Sequence, residues 1–151
     1  MKEILIRNSN IEIRKSSVHG YGVFAKDFIK RRQVIEDCYF IHAHNCESKK
    51  DINTEEAWIN KSLADYTFNI NILNVGSVDI ISLGIGSMFN HSSNRDSVNT
   101  IYNIDKENRI ITFTANRDIK KDEELLFQYG KGKVTRLPYS NLYKRKKING
   151  K

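Results

Sequence analysis

The 151-residue sequence predicts a mainly β fold organised as one compact domain. Two observations carry this. Short apolar runs, alternating with polar residues or rich in β-branched and aromatic ones, are separated by polar turn segments, and at most one or two stretches have helical character. Apolar residues make up 39% of the chain. That suffices for a core, since a chain of this length buries roughly two-thirds of its unfolded surface.

In chain order, Ile11–Arg14 (IEIR) alternates apolar and charged residues as a half-buried strand does. Gly20-Tyr21-Gly22 is expected to break the chain before the apolar Val23-Phe24-Ala25. Val34–Ile41 is a strand candidate, and Lys50–Lys61 a short helical or loop insertion. Leu63–Phe68 and Ile80–Leu83 read as strands, with the Asn-rich Asn69–Gly76 between them as a turn. Leu83–Phe89 mixes small and apolar residues, as a buried helical turn would. Val98–Ile104 and Ile110–Ala115 flank the polar Asp105–Asn108 and predict a hairpin. Asp118–Glu123 reads as a turn, and Glu124–Tyr129 as a closing strand before Gly130. Pro138 is the single proline; low-complexity sequence and internal repeats are absent, so no long linker is expected.

Composition narrows the class. No apolar stretch approaches the roughly 20 residues of a membrane helix, so no membrane partner is expected. The N-terminal MKEILIRNSN has no apolar core of a secretory signal; an intracellular protein is expected, in a host nucleus or cytoplasm if it is viral or effector-like. Cys38 and Cys46 form no metal-ligand pattern, so no metal is expected; their count allows a disulfide, but two free thiols are expected, with Cys38 in the core. The net charge is +7, with Lys144, Arg145, Lys146, Lys147 and Lys151 clustered at the C-terminus. The cluster reads either as a solvated tail or as a nucleic-acid patch.

Three patches could carry chemistry. His19-Gly20-Tyr21-Gly22-Val23-Phe24-Ala25 lets the backbone lie flat against a ligand or simply turn between strands; without a third glycine it is not the dinucleotide pattern. Gly86-Ser87-Met88-Phe89-Asn90-His91-Ser92 ends an apolar run in polar groups that must find partners, in a ligand or in a local cap. Asp122–Gly130 (DEELLFQYG) closes on an aromatic that is either functional or core. Taken singly, each patch favours the structural alternative.

Together and in this order, GYGVFA, GSMFNHS and ELLFQYG resemble the SET-domain family of protein-lysine methyltransferases, in particular its minimal free-standing viral and bacterial members. The resemblance runs from about residue 11 to 130, leaving a short basic segment at 131–151. It implies a β-clip fold of several small sheets, few short helices and a C-terminal pseudoknot. It implies S-adenosylmethionine as cofactor, held by His19, Gly20, Tyr21 and Gly22 of the first patch and by Phe89, Asn90 and His91 of the second. Tyr129 is implied as the catalytic tyrosine, with Tyr66 beside it, and Tyr66, Phe127 and Tyr129 as the lysine channel.

Phenylalanine at position 127, in place of the family's alternative tyrosine, implies that di- and trimethylation are open. The implied partner is a protein with a target lysine, expected to be a histone tail; a homodimer is a further implication. Two departures stand out. The loop Ser93–Asn99 is longer than the family's x-x-Pro-Asn and lacks its proline, leaving Asn99 as the equivalent asparagine. Gln128 replaces the usual aspartate. Alternative expectations are a non-catalytic SET-like module for basic peptides or nucleic acid, and a methyltransferase for a non-histone protein.

Overall fold

The computed structural model describes residues 4–43, 66–72 and 76–129. Over these residues the chain is mainly β. Strands β1 (Ile11–Lys15) and β2 (Tyr21–Ala25) form an antiparallel pair. A five-stranded antiparallel sheet has the order β4-β5-β3-β8-β7, from β3 (Val34–Ala43), β4 (Thr67–Ile72), β5 (Gly76–Leu83), β7 (Thr100–Asp105) and β8 (Ile110–Ala115). A 3-10 turn, Gly86–Met88, leads into β6 (Asn90–His91), which pairs in parallel with β9 (Leu126–Phe127).

Most sequence expectations land within a residue or two. The expected turn at Asn69–Gly76 does not: Thr67–Ile72 and Gly76 onward are paired strand. The physical reason lies in Phe68-Asn69-Ile70-Asn71. Phe68 and Ile70 are buried while Asn69 and Asn71 are exposed, so the run alternates as a sheet strand does, and Asn69 donates a 3.0 Å hydrogen bond across the ladder to Asp79. Cross-strand pairing outweighs the turn preference of asparagine.

The glycine break is displaced too. β2 begins at Tyr21 and contains Gly22. The strand expected at Leu63–Phe68 starts at Thr67, and the closing strand is reduced to Leu126–Phe127. The insertion at Lys50–Lys61, Cys46 and the basic tail lie outside the described residues.

The core is aromatic and β-branched. Phe40, Phe89 and Phe113 are fully buried beside Ile29, Ile35, Ile80, Ile111, Ile119 and Leu125. Phe89 stacks on Phe113 at 4.8 Å, and Phe127 stacks on Phe68 at 5.9 Å. A bulge between Val34 and Glu36 lets four consecutive residues, Ile35 to Cys38, all be buried. Cys38 is a free buried thiol, and burial first among its causes pushes it up to about 12.

Chain crossing brings β6 and β9, distant in sequence, together. β9 runs beside β6, and Ser92 N donates to Phe127 O at 3.2 Å. The loop after Ser92 then returns to β9, where Asn99 N donates to Leu126 O at 3.1 Å. The closing strand is thus held by both limbs of one loop, a knot-like arrangement that agrees with the pseudoknot expected from sequence.

Candidate active site

Three segments distant in sequence meet around Asn90. Leu125 N donates to Val23 O and Ala25 N to Glu123 O, which lays the last motif against β2. β6 lies on the other side of that motif. Asn90, 7% exposed, directs its side-chain nitrogen at three acceptors: His19 O at 3.0 Å, Tyr21 O at 3.3 Å and Glu124 Oε1 at 2.7 Å. An amide nitrogen only donates, so these partners fix the side chain's orientation.

Glu124 accepts on its other oxygen from Ser16 Oγ at 2.9 Å, and Ser16 Oγ accepts from Val18 N at 2.8 Å. The Ser16–Gly22 turn, β6 and the closing motif are therefore one hydrogen-bonded unit.

Gly22 is required by close approach. A Cβ there would lie 2.1 Å from Glu124 Oε1 and 2.8 Å from Asn90 Nδ2. Gly20 has a left-handed φ of 51°, and no atom lies within 4 Å of where its Cβ would sit. The turn is packed tightly against the protein at Gly22 and open at Gly20. His19 and Tyr21 are exposed on either side of Gly20, with Tyr21 at 64%.

His91 and Tyr129 form the second part of the site. Tyr129 N donates to His91 Nδ1 at 2.9 Å, and the rings lie 4.9 Å apart. Since a backbone amide only donates, Nδ1 accepts and the neutral ring carries its proton on Nε2. Burial holds the imidazole below its ordinary range, which favours this neutral form. Nε2 is buried and has no hydrogen-bond partner among the described residues. A buried, unpartnered N–H is an outlier that a ligand acceptor would satisfy.

The Tyr129 hydroxyl donates to Phe89 O at 2.8 Å. Phe89, expected among the ligand-binding residues, enters the site through this carbonyl, while its ring is 1% exposed in the core.

Phe127 joins the core to the site. Its ring is 4.8 Å from Tyr129, 5.4 Å from Tyr102 and 6.3 Å from Phe89. A groove of about 440 Å³ opens beside Phe127, with Tyr102, Val98 and Ile101 as its other apolar walls. Tyr66 precedes β4 at 43% exposure, two residues before the Phe68 that stacks on Phe127.

Two contributors escaped the sequence reading. Tyr102 meets Phe127, Phe68 and Phe113, and burial raises its hydroxyl above the ordinary tyrosine range. Only the period-2 register of β7 places it on the face of Thr100 and Ile104, where it stays 36% exposed. Glu36, 4% exposed, accepts from Ile85 N at 3.1 Å and from Cys38 Sγ at 3.1 Å, and so holds the turn that precedes Asn90. Burial, the largest cause, raises its carboxyl above the ordinary value. No sequence motif marked it.

Asn99 is fully buried. Its Nδ2 donates to Glu124 O at 2.8 Å and its Oδ1 accepts from Leu126 N at 2.8 Å. The departure at Ser93–Asn99 therefore leaves this asparagine gripping the closing strand.

This arrangement of motifs is that of a known family: residues 20–130 match the SET domain, and the chain belongs to the SET-domain family. A relative in Schizosaccharomyces pombe, the histone-lysine N-methyltransferase specific for H3 lysine-37, is 32% identical over 84% of this chain and 78% of its own length. Other relatives are far longer. The human histone-lysine N-methyltransferase 2D is 30% identical over 80% of this chain, which spans 2% of that protein. Among solved structures, a Plasmodium falciparum chain described as a candidate histone methyltransferase superposes with a TM-score of 0.58 at 27% identity, covering 83% of this chain and 96% of that one.

Proposed function

We propose that this protein is an S-adenosylmethionine-dependent protein-lysine N-methyltransferase acting on histone lysines, with di- and trimethylation open to it. One observation carries the reading. Tyr129 is held at both ends, by its amide on His91 and its hydroxyl on Phe89 O, at the meeting point of an aromatic cluster and a buried, unsatisfied His91 Nε2–H. The family and the Schizosaccharomyces pombe relative support the activity and the histone substrate.

The cofactor fits the residues present. The open side of Gly20, exposed His19 and Tyr21, and the His91 Nε2 donor offer unobstructed space at the turn, backbone polar groups and one buried hydrogen-bond donor. Asn90 serves by holding the His19–Gly22 turn through two of its carbonyls. The transferred methyl group would come from the cofactor's sulfonium.

The chain's own groups handle the amine. Free lysine has a pKa of about 10.4 and must be neutral to attack carbon. Phe127, Tyr102 and Tyr66 supply an apolar wall that disfavours the ammonium by desolvation. The Tyr129 hydroxyl, donating to Phe89 O, presents its oxygen as an acceptor for an amine N–H, which orients the nitrogen lone pair. Phe127 carries no hydroxyl to anchor a water beside that nitrogen, leaving room for methyl groups. Methylated product is accommodated by cation–π attraction to the same rings.

The test is methyl transfer from labelled cofactor to purified histones, followed by mass spectrometry of the modified lysines. Native protein is expected to transfer and Tyr129→Phe to lose roughly a hundredfold in rate. Absence of transfer by the native protein, with labelled cofactor binding undetectable by calorimetry, would reject the reading.

A further inference from the structure

We propose that the groove beside Phe127 selects substrate segments with an acidic residue adjacent to the target lysine, through the cation of Arg95. The inference rests on the methyltransferase reading, because it takes Phe127 as the wall shared by the lysine channel and the groove. Phe127 lines the groove and its ring lies 4.8 Å from Tyr129, so residues flanking a lysine in that channel have the groove as an adjoining surface.

The groove's charge is one-sided. Its polar lining is Thr100, Asn116, Gln128 and Arg95, and among the described residues no carboxylate lines it. Arg95 is exposed and has no ion-pair partner among the described residues. The neighbouring charges among the described residues do not cancel it. Arg117, beside Asn116, is paired with Glu123, whose carboxyl also accepts from Lys120 N and Asn99 Nδ2. Asp96 adjoins Arg95 in sequence but does not line the groove.

Gln128 lines the same groove and contributes an amide, without the charge that the family's usual aspartate would bring. A guanidinium facing a cleft takes a carboxylate through two parallel hydrogen bonds and repels a lysine or arginine. The chain's net charge of +7 acts in the same direction at longer range. A histone lysine beside an aspartate or glutamate fits this groove, and an unbroken run of lysines and arginines does not.

The experiment uses the full chain and three peptides of one sequence, identical but for glutamate, glutamine or lysine on either side of a single target lysine. Methyl transfer gives kcat/KM, and fluorescence anisotropy of the labelled peptides gives Kd. Glutamate-flanked peptide is expected to exceed lysine-flanked peptide by roughly three- to tenfold at low salt. The ratio should shrink as salt rises. Arg95→Gln should bring it toward one and Arg95→Glu should invert it.

A native preference for flanking lysine, or an unchanged ratio in Arg95→Glu, overturns the proposal. Methyl transfer without charge preference overturns it and leaves the activity standing. Charge-selective binding with no transfer to any peptide supports the groove's selectivity and overturns the methyltransferase reading.

Discussion

At Asn90, three acceptors converge on one side-chain nitrogen, and the consequence is positional: the asparagine holds the glycine turn in place. His91 beside it is set by a different logic. Burial holds its imidazole below its ordinary 6.5, so the unfolded chain takes up a proton at a higher pH than the folded chain. The stability contributed is fully present above about 6.5 and is lost as pH falls from there toward the folded value. Thermal unfolding measured between about pH 5 and 8 should show this loss, and His91→Gln should flatten it. Phe127 carries a separate expectation. Phe127→Tyr adds a hydroxyl beside Tyr129, where it can anchor a water, and should shift product toward monomethyl-lysine in a mass-resolved time course. An unchanged product distribution would remove Phe127 from the channel wall.

Among elements, the contact between β2 and the closing motif is the least tolerant. Gly22 lies against Glu124 and Asn90 so closely that a methyl group has no space. Gly22→Ala should therefore displace both side chains and cost roughly 1–3 kcal/mol, read by chemical denaturation, together with a loss of cofactor affinity. The matched control is Gly20, where there is room for a Cβ but φ is left-handed; alanine there should cost about 1 kcal/mol through backbone strain alone. The two glycines of one motif thus have different reasons. Their sequence reading gave a bend or a ligand contact, and could not distinguish a packed position from an open one. The 3-10 turn before Asn90 is likewise held by a residue of another element, Glu36 on β3.

At the scale of the whole molecule, Asn99 closes the crossing. It donates to Glu124 O, accepts from Leu126 N and is fully buried. Asn99→Ala leaves those backbone groups unpaired and should destabilise by about 2–4 kcal/mol, with β9 becoming sensitive to limited proteolysis before the five-stranded sheet. A variant that unfolds like the native chain would show that the crossing is held elsewhere. The β-rich class, the hairpin at Val98–Ala115 and the order of the three motifs were legible in the sequence, because side-chain alternation and turn residues are local signals that survive without a partner. β4 departs from the expected turn because Phe68-Asn69-Ile70-Asn71 has turn-forming residues in a strand pattern, and only the partner β5 resolves which property wins. Tyr102 and Glu36 carry no sequence motif, and Arg95 stands out only as part of the departing loop Ser93–Asn99, since each acquires its place through neighbours remote in sequence. The sequence by itself determined which residues could do chemistry, because their functional groups belong to the chain; the tertiary structure decided which of them meet, because long-range pairing of β6 with β9 fixes contacts that no local preference encodes.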